Sequence, residues 1–154
     1  IAMDDLKKAL KKIDLLIIND EEARQLSGEY SLVRAAKKIR QMGPRYLVIK
    51  KGEHGALLFH DSQVFFAPAL PLTDVFDPTG AGDTFAGGFM GYIASTEDSS
   101  FENMKRAVII GSAMASFCVE KFGTERIENL TVDEIKDRID EFVQLTDFDM
   151  TRAI

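Results

Sequence analysis

Two short apolar runs bounded by polar residues fix most of what this chain can become. Residues 14–18 (DLLII) end at Asn19, and Tyr46–Lys50 (YLVIK) follows a Gly43-Pro44 break. Each is the length of a buried strand and too short for a buried helix. The chain between them reads as helical. Residues 20–27 stop at Gly28, a C-terminal glycine, and residues 32–42 carry apolar side chains at Val33, Ala36 and Ile39. Strands alternating with helices point to an α/β sheet covered by helices. Residues 56–59 and 64–66 flank Asp61-Ser62 and read as a hairpin, which makes the sheet mixed. Residues 3–12 read as a short charged helix, and Pro68 and Pro71 punctuate a loop. Beyond Asp77-Pro78 the pattern predicts helices over 84–94 and 102–122. Thr131-Val-Asp-Glu134 is a capping-box pattern. It opens a last helix with Ile135, Ile139, Phe142 and Val143 on one face. The C-terminal helices are expected to cover the faces of the sheet, and residues 1–154 to form a single domain.

Composition removes several function classes. Lys plus Arg is 19 against 25 Asp plus Glu, a net charge of −6 with no basic run. That is a poor nucleic-acid binder. No apolar run of about 18 residues is present, so a membrane span is not expected. The first 14 residues put charges where a signal peptide needs an apolar stretch. One cysteine, Cys118, excludes an internal disulfide and a Cys-rich metal site. It lies on a mostly apolar helical stretch and reads as a core thiol. Two histidines, His54 and His60, are too few to favour a His-based zinc site, and His54 is given no catalytic role. The expectation is a cytoplasmic protein that handles a small molecule. The chain starts at Ile1 rather than Met, which leaves open whether it is a fragment of something longer.

Chemistry concentrates in residues 77–91, DPTGAGDTFAGGFMG. A loop of small residues runs into a helix, and Gly80 and Gly82 leave backbone amides uncovered. Free N–H groups and the helix dipole make an anion site there. Asp83 falls in the first turn of the same helix. A carboxylate beside an anion hole opposes simple phosphate binding. It fits a base that takes a proton from a hydroxyl attacking the phosphate. Alternatively, residues 80–82 form only a tight turn and Asp83 faces the dipole. Gly87, Gly88 and Gly91 each cost about 1 kcal/mol relative to Ala in a helix, which suggests close approach of a backbone or ligand. Gly87 and Gly91 also match a membrane-helix packing pattern, but the segment is too short and its flanks too polar. No Walker A loop and no dinucleotide-binding fingerprint occurs.

The string DPTGAGDTFAGGF closely resembles the C-terminal signature of the ribokinase, or PfkB, family of carbohydrate kinases. Residues 19–22 (NDEE) resemble the family's N-x-x-E motif, and residues 49–55 (IKKGEHG) its strand and turn along the nucleotide. The resemblance implies a ribokinase-like three-layer α/β/α fold, with a mainly parallel sheet and an antiparallel hairpin, of which this chain covers the C-terminal half. It implies ATP-dependent phosphotransfer to a hydroxymethyl group of a sugar, with ATP and Mg2+. Asp83 is then the catalytic base, and Gly80, Ala81 and Gly82 supply the anion hole. Asn19, Glu22, Lys50, Gly52, Glu53 and Gly55 contact the nucleotide, with Glu22 near magnesium. Asp77 and Thr79 fall where many members bind a monovalent cation such as K+, with carbonyls from residues 118–123. Gly111 and Ser112 fall near the adenine pocket. Two departures stand out. Ile127 lies where some members offer a polar oxygen to the cation, and Gly111 where members often have a side-chain amide. The half of a usual member that would carry most sugar contacts and the lid has no counterpart, so the acceptor and a homodimer are left open.

The residues support parts of this independently. Asn19 and Glu22 follow a buried strand, where α/β proteins place ligands. Asn plus carboxylate is a hard-oxygen set suited to magnesium held mostly through water. Asn19 reads equally as a helix N-cap, and Glu22 alone as a surface residue. Lys50-Lys51 is either a charged strand end or a neutraliser of phosphate. Gly52 and Gly55 suit a backbone that passes close to a ligand. Three further readings stay in play: a nucleoside kinase of the same superfamily, a nucleotide-binding regulatory domain without turnover, and a purely structural domain.

Overall fold

The computed structural model describes residues 3–149. Helix α1 (Met3–Leu10) precedes β1 (Leu15–Asn19), α2 (Asp20–Ser27), α3 (Leu32–Gln41) and β2 (Tyr46–Lys50). A single 3-10 turn (Gly52–His54) leads into β3 (Ala56–His60) and β4 (Gln63–Ala67). Four helices follow: α4 (Ala81–Thr96), α5 (Phe101–Cys118), α6 (Glu125–Glu128) and α7 (Val132–Thr146).

The four strands lie in chain order. Strands β1 and β2 are parallel, with Asn19 opposite Lys50; β2–β3 and β3–β4 are antiparallel, with Lys50 opposite Ala56. The sheet is mixed, as the hairpin predicts, with one parallel and two antiparallel pairs among the described residues. The cause is local. Only α2 and α3 provide a crossover long enough to return the chain in the same direction, whereas the short connections around β3 reverse it.

Alternation along β2 divides the core in two. Tyr46 and Val48, with Ala56, Leu58 and Ala67, pack against Phe85 and Phe89 of α4 and Met104, Ala107 and Val108 of α5. Leu47 and Ile49, with Phe59, pack against Ala23 of α2 and Ala36 and Ile39 of α3. Helices thus lie on both sides of the sheet, but the C-terminal helices cover only one face. The prediction that they cover both is corrected by α2 and α3, which are short yet amphipathic enough to close the other.

Several ends also shift. Helix α4 starts at Ala81 and runs to Thr96, so the small residues before Thr84 belong to its first turn. Helix α5 stops at Cys118 instead of reaching Phe122. The apolar pattern continues past its end for other reasons. Val119 accepts a hydrogen bond from Phe76 N–H at 2.8 Å, and Phe122, 68% exposed, meets Phe76 edge-on. The capping box of α7 forms as predicted, with Thr131 and Glu134 satisfying each other's backbone N–H groups. Its apolar face is narrower than predicted: Phe142 is buried, but Val143 is 58% exposed. Arg138 anchors α7 on α5, donating to Ser116 Oγ at 2.7 Å and to Glu120 at 2.5 Å. Arg126 joins Glu120 (3.2 Å) to Glu134 (2.7 Å) in the same network. No helix among the described residues is long and apolar enough to cross a membrane.

Candidate active site

A cleft of about 950 Å³ opens where the C-terminal ends of β1 and β2 meet the start of α4. Asn19 and Lys50 line it from the strand ends, and Gly52, Glu53, His54 and Gly55 from the following turn. Ala81 and Gly82 line it from the first turn of α4, Ser112, Ala115 and Ser116 from one face of α5, and Val119 from just past its end. The last wall is the loop 68–78, through Leu70, Leu72, Val75 and Pro78. Nothing in the sequence pattern marked Ser116 or this loop wall. The only signal was apolar side chains in a Pro-punctuated loop, which have no strand or helix to bury them.

The start of α4 is built around Gly80. Its φ of 82° ends a turn in which Ala81 N–H donates to Pro78 C=O at 3.2 Å. Gly tolerates that φ without cost, whereas a side chain would strain it. The first helical bond runs from Thr84 N–H to Gly80 C=O at 2.9 Å, and no side chain caps the helix. The N–H groups of Gly80, Gly82 and Asp83 therefore have no partner among the described residues. Ala81, read above as an anion-hole donor, spends its amide on the turn. The open donors are the two glycines and Asp83 itself. Asp83 is exposed and lies outside the cleft wall, one step further around the helix.

Just upstream, Asp77 Oδ1 accepts from Thr79 N–H at 2.9 Å, which holds the Asp77 carboxyl below its ordinary range. Thr79 C=O accepts from the Cys118 thiol at 3.7 Å. Cys118 is buried, as a core thiol should be. The two segments named for a monovalent cation thus meet. Thr79 C=O and Val119 C=O already accept hydrogen bonds there, and Ile127 offers no side-chain oxygen.

Asn19 and Glu22 form a complete capping box at α2: Asn19 N–H donates to Glu22 Oε2 and Glu22 N–H to Asn19 Oδ1, both at 2.8 Å. This fulfils the N-cap alternative. Only Asn19 lines the cleft, and Glu22 is exposed beside it. No group of three or more His, Cys, Asp or Glu side chains that could hold a metal occurs among the described residues. Asn19 Oδ1 and the Glu22 carboxylate are hard-oxygen donors, and each already accepts one hydrogen bond in the capping box.

The glycines separate into kinds. A Cβ on Gly55 (φ 83°) would overlap the carbonyl of Ala67, so this glycine lets β3 close onto the start of the loop while its backbone lines the cleft. Gly52 has open space around it, as do Gly87 and Gly91. Gly111 is buried against Phe85 and does not line the cleft; Ser112 beside it does. Gly88 packs on Met114 and Gly111. Of Gly87, Gly88 and Gly91 in α4, only Gly88 serves a backbone contact. His54 lines the cleft beside Glu53, its Nε2 3.7 Å from the carboxylate.

A mixed sheet between helix layers, with its cleft at the strand ends, is the ribokinase-like α/β arrangement. A sequence model described as pfkB family carbohydrate kinase matches residues 1–130, and the chain belongs to that family. A cytidine kinase of Thermococcus kodakarensis is 32% identical over 123 residues, covering 78% of this chain and 42% of its own length. A ribokinase of Arabidopsis thaliana is also 32% identical, over 74% of this chain and 30% of its own. Among solved structures, aminoimidazole riboside kinase from Salmonella enterica, complexed with aminoimidazole riboside and an ATP analog, superposes with a TM-score of 0.79. It is 25% identical over 89% of this chain and 46% of its own. Ribokinase from Thermotoga maritima gives 0.73 at 27% identity, over 87% of this chain and 44% of its own. The chain spans less than half the length of these relatives.

Proposed function

We propose that this chain is the nucleotide-binding and catalytic-base portion of an ATP-dependent kinase that phosphorylates an alcohol of a sugar or nucleoside. The observation that carries the reading is the start of α4. Three amides without partners (Gly80, Gly82, Asp83) share one helical turn with an exposed carboxylate, at the edge of a cleft large enough for a nucleotide. Family membership and the kinases among its relatives support it.

In this reading the Asp83 carboxylate accepts the proton of the acceptor hydroxyl as that oxygen attacks the terminal phosphorus of ATP. A new oxygen–phosphorus bond forms, the bond from that phosphorus to the bridging oxygen breaks, and ADP leaves with the electron pair. The Gly80, Gly82 and Asp83 amides stabilise charge on the transferring group. Asn19 lies at the phosphate end, Glu22 beside it, and Gly52, Glu53 and Ser112 border the nucleotide. Magnesium on the ATP would neutralise phosphate charge, with water-mediated contacts to Asn19 and Glu22. Asp77 and Thr79 would border a monovalent cation.

The sugar and nucleoside readings differ only in the acceptor. Cytidine and nucleoside kinases among the relatives favour including nucleosides. The test is ADP release from magnesium-ATP across a panel of sugars and nucleosides, with the complete protein. Asp83→Asn should lower turnover by on the order of 10²–10⁴ with nucleotide binding retained. Near-normal turnover removes Asp83 as the base. Nucleotide binding without turnover on any acceptor would favour a regulatory domain.

A further inference from the structure

The α5 wall of the cleft carries two hydroxyls, Ser112 and Ser116, among Ala115 and Val119. Leu70, Leu72 and Val75 of the loop 68–78 line the same cleft. A flat ring held by such apolar walls gains burial whatever its substituents. The few polar groups in the walls then decide which ring is accepted.

The two hydroxyls are not equivalent. That of Ser112 has no hydrogen-bond partner among the described residues, so it can turn either to donate or to accept. Ser116 has no such freedom. Arg138 of α7 donates to its Oγ at 2.7 Å. A guanidinium has no acceptor, so the hydroxyl proton must point elsewhere, and the Ala113 carbonyl takes it at 2.6 Å. Arg138 is itself held in place. It donates a second hydrogen bond to Glu120, and its guanidinium lies 4.0 Å from the centre of the Phe117 ring. Arg126 lies over the same ring at 5.0 Å, and only 12% of the Arg138 side chain is exposed. A hydroxyl oxygen has two acceptor sites, and Arg138 occupies one. What Ser116 has left for a ligand is one acceptor and no donor.

We propose that Ser116 is a specificity-determining residue for the nucleotide base. Its remaining lone pair accepts from the exocyclic amine of adenine and disfavours a purine with a carbonyl at the same position. Arg138 is the positioning residue that keeps the hydroxyl in this acceptor-only state. The assignment rests on the kinase reading above. A matched base gains one hydrogen bond between apolar walls. In a mismatched base two acceptors face each other away from water, and the desolvation of both goes uncompensated.

Calorimetry on the complete protein tests this with two diphosphates, so that neither turnover nor an acceptor is needed. ADP carries an amine at position 6 of the purine, and inosine diphosphate an oxygen. ADP should bind about 10–100-fold tighter, the cost of one unsatisfied buried group. Ser116→Ala should narrow that ratio to about threefold or less, weakening ADP and relieving the inosine nucleotide. Arg138→Met frees the hydroxyl to donate, so it should narrow the ratio by strengthening inosine diphosphate, a gain that a damaged fold does not produce. Arg138→Lys, which still donates, should keep most of the discrimination. Equal affinity for the two nucleotides in the unaltered protein, a comparison that needs no variant, overturns the proposal and leaves the kinase reading standing. A ratio unchanged in Ser116→Ala overturns the role of Ser116, and one unchanged in Arg138→Met that of Arg138. If the unaltered protein binds neither nucleotide, the kinase reading falls, and this proposal falls with it.

Discussion

Replacing two glycines by alanine, one at a time, measures how closely α4 and α5 are pressed together. Gly87 lies in α4 with open space where a Cβ would go. Gly111 lies in α5, where a Cβ would sit 2.8 Å from the Phe85 carbonyl oxygen and 3.1 Å from its ring. Both changes gain the same helix propensity, about 1 kcal/mol. Gly87→Ala keeps that gain. Gly111→Ala must also push backbone from backbone, because the nearest atom is a carbonyl rather than a movable side-chain tip; overpacking of this kind costs about 1–3 kcal/mol. Propensity cancels in the comparison, so the contact alone separates the variants by that amount. At this chain length about 1 kcal/mol moves the unfolding midpoint by about 2–4 °C. Gly87→Ala should therefore melt about 2–4 °C above the parent, and Gly111→Ala about 2–12 °C below Gly87→Ala. Thermal and urea unfolding of the purified chain read both. Equal stabilisation by the two substitutions would refute close packing as the reason for glycine at 111.

Two further outcomes follow from the same structure. The Thr131 N–H, with help from Arg126, holds the Glu134 carboxyl down at about 2 instead of 4.5. A lowered native value means the stabilisation is full above 4.5 and is lost as pH falls toward 2. Acid unfolding followed by circular dichroism should be flatter in that window for Glu134→Gln, and parallel curves would deny Glu134 the effect. Gly55→Ala combines a φ of 83° with overlap on the Ala67 carbonyl, for about 2–5 kcal/mol of lost stability. A denaturant midpoint near the parent's would mean that the start of β3 is not held against Ala67 as described.

The fold was legible where local chemistry and burial agree. Tyr46–Lys50 is apolar at every buried position, and Thr131 with Glu134 is a cap whatever surrounds it. Legibility failed where a side chain has two uses. Val119 and Phe122 look like a continuing helix face, yet one borders the cleft and the other meets Phe76 outside any helix. Gly111 and Gly55 are each required by a carbonyl distant in sequence, which no spacing rule can reveal, and of the two only Gly55 also lines the cleft. In the candidate site, the glycines and Asp83 announced a helix start with open donors. That Ala81 spends its amide on Pro78 depends on how the loop meets the helix, and that Arg138 holds Ser116 depends on how α7 meets α5. Those are tertiary facts.

The thiol of Cys118 gives this chain a built-in clock. It is the sole cysteine, it is buried, and it closes over Thr79 at the entrance to the glycine turn. Parting of that contact would expose it to a thiol reagent, and labelling faster than unfolding of the whole chain would report such a local opening. A bound phosphate-bearing ligand would hold the turn shut and slow the count in proportion to its occupancy. Movement at the entrance can thus be timed without adding any probe to the protein.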